Sequence, residues 1–318
     1  MTASEQAAAF SVLAGVLDVV YGPPGTVGRP LLIGPDTHSF HDAGSSTKQV
    51  LTYLSNFTRT TASILHAVTH HEYIEIDAAN VLNATFLDNS AAIAHAVVKA
   101  VRGASPTVQV WAGEIGPHNG GTMPNPNCAG NHVCGRFGSA VWYADSLAAK
   151  ATAGYSVYCR QDLIGADYGL LNYTTLAPSP DFWLLALWKQ LVGTRVFAVA
   201  PTAGLLTLRS YAFCSVRGSN LTLVIINLDE APACITSPIF AAPNATMALY
   251  TMTAGEGGVV SASALLNGRP LVLDNAGRVP DLPGVSQSVL PGATITLAPV
   301  SVNFVLIPLA SADAALCP

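Results

Sequence analysis

Val108-Gln109-Val110-Trp111-Ala112-Gly113-Glu114 is a short apolar strand that runs straight into a glycine and a carboxylate. Three other stretches are built alike. Pro30-Leu-Leu-Ile-Gly34, Ile64-Leu-His-Ala-Val-Thr69 and Tyr155-Ser-Val-Tyr-Cys159 are each apolar and are followed at once by polar or glycine residues. Helical patterns lie between them. Arg136 to Ala153 carries Phe137, Val141, Leu147 and Ala148 at helical spacing, with Gly154 to close it. A second helix is predicted from Asp181 as N-cap, after Pro178 and Pro180, through Phe182, Leu185 and Trp188 to Gly193 as its stop. Strands alternating with helices from about Ser4 to about Gly193 read as βα units around a parallel sheet.

Further along, the helical period disappears. Leu205–Phe213, Leu221–Leu228, Ala248–Met252, Thr294–Leu297 and Ser301–Ile307 read as strands, with turn signals such as Asn267-Gly268 and Pro291-Gly292 between them. The chain therefore divides into a βα region, residues 1–195, and an all-β region, residues 196–318, whose expected form is a sandwich.

Composition narrows the function classes. Half of the residues are hydrophobic and 10% are charged, which suits a globular chain and excludes disorder. A net charge of −5, with 14 Lys and Arg spread thinly, offers no basic stripe for nucleic acid. The longest apolar run, Ala7 to Leu17, ends at Asp18 and falls short of the roughly 18 residues of a membrane span. Glu5 precedes it where a signal peptide carries Lys or Arg, and no A-x-A site follows, so it reads as a helix of the βα region. Asn56, Asn83, Asn172, Asn220 and Asn244 each open an N-glycosylation sequon. With six Cys they point to the secretory pathway, hence an extracellular, cell-surface or lysosomal or vacuolar protein whose export signal is expected upstream.

In (β/α) barrels the chemistry sits at the C-terminal ends of the strands. There the chain places Gly34-Pro-Asp36, Thr69-His-His-Glu-Tyr73, Trp111-Ala-Gly-Glu114 and Cys159-Arg-Gln161, so ionisable groups gather at one end of all four strands although charge is scarce elsewhere. Glycoside hydrolysis needs one carboxyl group as proton donor and a second that attacks the anomeric carbon or activates water. Glu114 suits the second role, with flexible Gly113 before it and Gly116, Gly120 and Gly121 after it; the alternative is an ordinary surface glutamate in a βα loop.

Trp111-Ala-Gly-Glu114 with His118-Asn-Gly-Gly-Thr122 resembles the nucleophile motif of heparanase and the plant heparanase-like β-glucuronidases, retaining glycoside hydrolases of family 79. Other motifs follow in the family's order: Leu32-Ile-Gly-Pro-Asp36, His70-His-Glu-Tyr73, Arg160-Gln161 with Gly165-Ala-Asp-Tyr-Gly-Leu-Leu171, Pro180-Asp-Phe-Trp183, Leu191-Val-Gly-Thr194 and Leu266-Asn-Gly268. The resemblance implies the C-terminal half of a (β/α)8 TIM barrel, strands five to eight, followed by a C-terminal antiparallel β-sandwich, acting without a cofactor on β-linked glucuronic acid. It implies Glu114 as nucleophile and His71 and Tyr73 as lining of the sugar subsite. Gln161 and Tyr168 would contact the uronic acid, and Gly120 and Gly121 would offer backbone N–H groups to its carboxylate. His70 has the alternative of a buried, hydrogen-bonded histidine, and Arg160 that of an internal salt bridge.

The resemblance also implies a Cys214–Cys317 disulfide. Cys128 and Cys134 fall in a variable insertion, where a local disulfide would staple a lid; a metal site using Cys128, His132 and Cys134 lacks a second ligand pair. Cys159 and Cys234 are expected to be single buried thiols. The family's acid/base glutamate stands in an Asn-Glu-Pro motif that this chain lacks, and none of Glu5, Glu72, Glu75, Glu230 and Glu256 takes its place; Glu72 and Glu75 read as loop residues after the second strand. The chain is thus expected to be a fragment, inactive by itself, with a glucuronic-acid-containing polysaccharide, proteoglycan or small glucuronide as substrate. A separate N-terminal chain completing the barrel is a candidate partner. The rival expectation is a non-catalytic carbohydrate-binding or structural remnant of the same fold.

Overall fold

The computed structural model describes residues 1–40, 45–119, 133–199, 206–218, 220–236, 246–288, 294–309 and 314–317. It contains a four-stranded parallel sheet in the order β1 (Ile33–Phe40), β2 (Ala67–Tyr73), β3 (Gln109–Gly116) and β4 (Val157–Arg160). Helix α1 (Ala3–Tyr21) precedes β1, and α2 (Ser45–Thr61), α3 (Ala84–Ala104) and α4 (Phe137–Ala153) connect successive strands. Three of the strands run further than their apolar runs predict: β1 continues through Gly34-Pro35-Asp36, β2 through His70 to Tyr73, and β3 through Glu114 to Gly116. Pairing is a backbone property, so the ladder goes on where the side chains turn polar.

Helix α1 starts with a capping box. The Thr2 hydroxyl accepts from the Glu5 N–H at 3.2 Å while the Glu5 carboxylate accepts from the Thr2 N–H at 2.7 Å. Asp18 ends the apolar run but not the helix, which continues through Val19, Val20 and Tyr21. By length and composition α1 is long and apolar enough to cross a membrane, which corrects the expectation drawn from the shorter run. In this fold it packs against α2, with Ala7 and Ala14 buried and the Phe10 ring edge-on to Phe57 at 5.0 Å.

Helix α5 (Pro180–Leu191) begins one residue earlier than predicted: Ser179 is the N-cap, Pro180 opens the helix, and Asp181 lies inside its first turn. Gly193 is not a helix stop. The chain passes directly into β5 (Val192–Phe197), and a Cβ on Gly193 would stand 2.8 Å from the carbonyl oxygens of Cys214 and Ser215, so only glycine fits this close approach.

The antiparallel part is built from β6 (Leu208–Ser215), β7 (Asn220–Asn227), β8 (Ala233–Thr236), β9 (Thr246–Ala254), β10 (Ala264–Leu266), β11 (Arg269–Pro270), β12 (Val285–Ser288), β13 (Thr294–Leu297) and β14 (Ser301–Pro308). The larger sheet has the order β11-β10-β9-β14-β7-β6-β5 with β12 also on β9, and β13 pairs with β8. Ile295 and Leu297 of β13 join Ala212, Leu221, Ile225, Met247, Val305 and Ile307 in one buried apolar cluster. Cys214 and Cys317 are joined by a disulfide with Cα atoms 5.3 Å apart. Closing a loop of 103 residues is worth about 4–5 kcal/mol by chain entropy. Cys159 and Cys234 are exposed, contrary to expectation. On β8 the residues alternate, so Ala233 and Ile235 pack on the cluster and Cys234 between them faces out.

By contacts the chain forms two compact units. One comprises Met1–Glu75, Asp88–Asn119 and Ala149–Gln161 and holds the parallel sheet; the other comprises Ile76–Leu87, Gly120–Ala148 and Asp162–Pro318 and holds all the antiparallel strands. Of the sequon residues, Asn56, Asn83 and Asn172 are exposed, Asn220 is half-buried at the start of β7, and Asn244 lies outside the described residues.

Candidate active site

Strands β2 and β3 pair in parallel with His71 opposite Glu114 and Tyr73 opposite Gly116. Side chains on a strand alternate between its faces, and here that alternation separates two sets of polar groups. His71, Tyr73 and Glu114 meet on one face. The Tyr73 hydroxyl donates to Glu114 Oε1 at 2.5 Å, and His71 Nδ1 stands 3.6 Å from the same oxygen. His71 Nε2 is 3.0 Å from Asp36 Oδ2 on β1. The Asp36 carboxylate beside its ring raises the His71 pKa above the ordinary imidazole value, with burial opposing and the charge of Glu114 adding to it. The same contact holds the Asp36 carboxyl below the usual carboxylate range. Asp36, His71, Tyr73 and Glu114 thus form a chain of contacts across three strands, and Glu114 remains about a third exposed.

Two glycines make room for it. A Cβ on Gly113 would lie 2.3 Å from Asp36 Oδ1, and one on Gly116 would lie 2.4 Å from the Tyr73 ring. The sequence reading assigned Gly113 flexibility; space is the physical reason for it.

The opposite face of β2 carries His70 and Glu72, both fully buried. Glu72 is therefore a strand residue and not, as predicted, a loop residue. Its Oε1 accepts from Lys150 Nζ at 2.7 Å and from Ser90 Oγ at 2.6 Å, and Lys150 Nζ also donates to Ser90 at 2.8 Å. His70 Nε2 lies 2.7 Å from the Tyr155 hydroxyl and Nδ1 lies 3.2 Å from the His71 carbonyl oxygen. A carbonyl only accepts, so Nδ1 carries the proton and Nε2 accepts from Tyr155. Burial pushes the His70 pKa down to about 4, which makes it the buried, neutral histidine of the pair.

Beyond β2, Glu75 adopts a left-handed φ of 53° and binds the segment after β3: Oε2 is 2.9 Å from His118 Nδ1, and Oε1 accepts from the Asn119 N–H at 2.9 Å. That segment leads to Gly120 and Gly121, which lie outside the described residues, as do Cys128 and His132. Cys134 is buried and disulfide-bonded. Among the described residues no group of three His, Cys, Asp or Glu side chains could hold a metal ion. Gln161 follows β4 in the parallel-sheet unit, its N–H bonded to the Ile115 carbonyl at 2.9 Å; Tyr168 is buried in the other unit.

Sequence reasoning missed the partners of these groups. Asp36 was noted at a strand end but given no role, and the Glu72–Lys150–Ser90 and His70–Tyr155 contacts join residues 18 to 85 positions apart. A usable signal existed: Lys150 is the lone cation in the apolar helix Phe137–Ala153, and a charge buried in a helix calls for a partner.

No protein-family profile matches the chain. Heparanase-like protein 3 of Arabidopsis thaliana is 29% identical over 251 residues, covering 71% of this chain and 45% of the relative. Baicalin-beta-D-glucuronidase of Scutellaria baicalensis is 27% identical over 251 residues (77% and 46%), and inactive heparanase-2 of Homo sapiens is 28% identical over 301 residues (88% and 48%). The chain spans about half the length of the curated relatives it matches. Among solved structures, the GH51 arabinofuranosidase of Xanthomonas axonopodis pv. citri aligns at a TM-score of 0.64 with 14% identity, covering 96% of this chain and 63% of that one. A 4-O-alpha-L-rhamnosyl-beta-D-glucuronidase of Fusarium oxysporum aligns at 0.63 with 16% identity, covering 97% and 65%. At these identities the structures speak for the fold alone, and it is the fold of glycosidases. The sequence relatives go further: over most of its length the chain is similar to heparanase-like proteins, a glucuronidase and an inactive heparanase at 27–29% identity.

Proposed function

We propose that the chain carries the nucleophile of a retaining glycosidase that cleaves β-linked glucuronic acid, and that Glu114 is that nucleophile. The observation that supports this most is the grip on one carboxylate oxygen: Tyr73 donates to Oε1 and His71 faces it, while Oε2 carries no hydrogen bond among the described residues. A carboxylate oriented through one oxygen presents the other to an anomeric carbon. In a retaining mechanism the leaving oxygen takes a proton from a second carboxyl about 5–5.5 Å away. The glutamates of the parallel-sheet unit are otherwise engaged: Glu5 caps α1, Glu72 is buried against Lys150, and Glu75 holds His118. The acid role is therefore assigned to a carboxyl from sequence that this chain does not contain, and residues 1–195 to the second half of a (β/α)8 barrel, followed by a β-sandwich over 196–318. Gln161, Tyr168, Gly120 and Gly121 keep the substrate contacts that the family resemblance implies. The exposed sequons agree with passage through the secretory pathway.

The test is covalent. The protein, together with the sequence that completes its barrel, is treated with a mechanism-based uronic acid inactivator and its peptides are sequenced by mass spectrometry. A label on Glu114 is expected, and a label on any other residue overturns the assignment. A second reading, a carbohydrate-binding protein without turnover, is favoured by the engaged glutamates and by a relative that is itself named inactive. Under that reading the completed protein binds a glucuronide and releases no aglycone.

A further inference from the structure

The sequons differ in what the fold does with their third residue. N-glycosylation reads an asparagine together with a hydroxyl two positions on, so the transferring enzyme must reach both side chains. In Asn56-Phe57-Thr58 the asparagine is exposed, but Thr58 is fully buried. Its hydroxyl donates to the Leu54 carbonyl oxygen at 2.7 Å, one turn back in α2. In Asn220-Leu221-Thr222 the asparagine is half-buried and Thr222 is fully buried on β7. Its hydroxyl donates at 2.7 Å to the carbonyl oxygen of Leu191, the last residue of α5. Both hydroxyls serve the core.

Asn83-Ala84-Thr85 and Asn172-Tyr173-Thr174 are built otherwise, with both asparagines and both threonines exposed. Asn83 Oδ1 accepts from the Phe86 N–H at 3.2 Å, and Asn172 Oδ1 accepts from the N–H groups of Thr174 at 3.0 Å and Thr175 at 2.9 Å. That leaves each amide nitrogen, the atom that takes the glycan, without a hydrogen bond among the described residues. Beside Asn172, Tyr173 and Leu176 are also exposed, apolar surface that a bulky sugar would cover. We propose that Asn83 and Asn172 are N-glycosylation sites open on the folded protein, whereas Asn56 and Asn220 accept a glycan only before the chain folds. In the transfer, the asparagine amide nitrogen bonds to the anomeric carbon of an oligosaccharide carried on a lipid diphosphate. The bond from that carbon to the diphosphate oxygen breaks, and the lipid diphosphate leaves as the nitrogen loses one proton. The proposal goes beyond the functional reading and stands whichever residue acts as nucleophile.

The folded protein, together with the sequence that completes its barrel, is made without glycans in a bacterial host. It is then incubated with a purified oligosaccharyltransferase and a lipid-linked oligosaccharide, and synthetic peptides spanning each of the four sequons serve as the unfolded reference. Mass spectrometry after enzymatic release of the glycans reads the occupancy of each asparagine. All four peptides are expected to react. On the folded protein, Asn83 and Asn172 should match their peptides, while Asn56 and Asn220 should fall at least tenfold below theirs. Occupancy of Asn56 or Asn220 equal to that of its peptide overturns the proposal, as does failure of Asn83 or Asn172 to react on the folded protein. An inert peptide among the four also overturns it, because sequence and not burial would then set the pattern. Failure of the functional reading shows separately, as an inactivator label on a residue other than Glu114.

Discussion

His70 and His71 are neighbours in sequence and share a strand, yet they do opposite things. His70 packs between Phe40 and Tyr155, is fully buried and neutral, and its pKa falls to about 4; His71 faces the candidate site, touches two carboxylates, and its pKa rises. The same split separates Glu72, buried against Lys150 and Ser90, from Tyr73, whose hydroxyl meets Glu114. One face of β2 carries buried polar groups paired with other buried groups, and the other carries the polar groups of the candidate site. The lesson is that an ionisable cluster in a strand must be read with a period of two before any of its members is given a role.

The largest effect is expected on the structural face. Lys150→Met leaves the Glu72 carboxylate buried without its cation, and breaking a buried pair from one side costs about 3–5 kcal/mol. Urea unfolding followed by tryptophan fluorescence measures it. Adding Glu72→Gln removes the stranded charge and should restore most of the loss. A loss below about 1 kcal/mol in the single variant would show that water reaches Glu72 and that the two faces are not distinct.

On the chemical face the expected change is in rate, with stability nearly unchanged. Tyr73→Phe deletes the hydrogen bond to Glu114 and keeps the ring that Gly116 accommodates. A hydrogen bond to a charged group is worth about 1.5–3 kcal/mol, so labelling of Glu114 by the uronic acid inactivator should slow by roughly 10- to 100-fold. An unchanged labelling rate would mean that Tyr73 does not orient the carboxylate.

How much of this could be read from the sequence follows from the same geometry. The apolar cores of β2 and β3 were legible because apolar runs such as Ala67-Val68 and Val108-Gln-Val110 mark buried strands. The strand ends were not, since His71 and Glu114 are paired strand residues and Asp36 lies within β1 at a break in its register, and the polarity of all three reads as loop. Glu114 was legible as a candidate because a carboxylate directly after an apolar run stands out in a chain with little charge. Its setting was not: Asp36 and Tyr73 lie 78 and 41 positions away, and no local pattern links them. In the antiparallel part β6, β7, β9, β13 and β14 were read, whereas β5, β8, β10, β11 and β12 escaped notice. Gly193 looked like a helix stop, β10 and β11 have only three and two residues, and β8 and β12 are as short as β13 but lack its Thr-Ile-Thr-Leu alternation.

The smallest effect is also the most direct comparison of the two histidines. In an NMR titration, His71 should titrate above about 6.5 and His70 should stay neutral until the pH nears 4. The stability consequences have definite signs. Protonated His71 is bound by Asp36, so its contribution is complete below the unfolded value near 6.5 and is lost as pH rises through its raised folded pKa. Asp36 contributes above its unfolded value near 3.8, and that contribution is lost as pH falls through its lowered folded pKa. His70 must be buried uncharged, so it withdraws stability as pH falls from about 6.5 towards 4. Asp36→Asn should therefore return the His71 titration towards 6.5 and remove the alkaline edge of the pH–stability profile, leaving the His70 limb in place. Asp36 is about half exposed, so the change in stability should be small and the shift in titration is the sharper readout. If Asp36→Asn moved the His70 titration as much as that of His71, the two faces of β2 would be electrostatically one site, and the division of labour argued for them would fail.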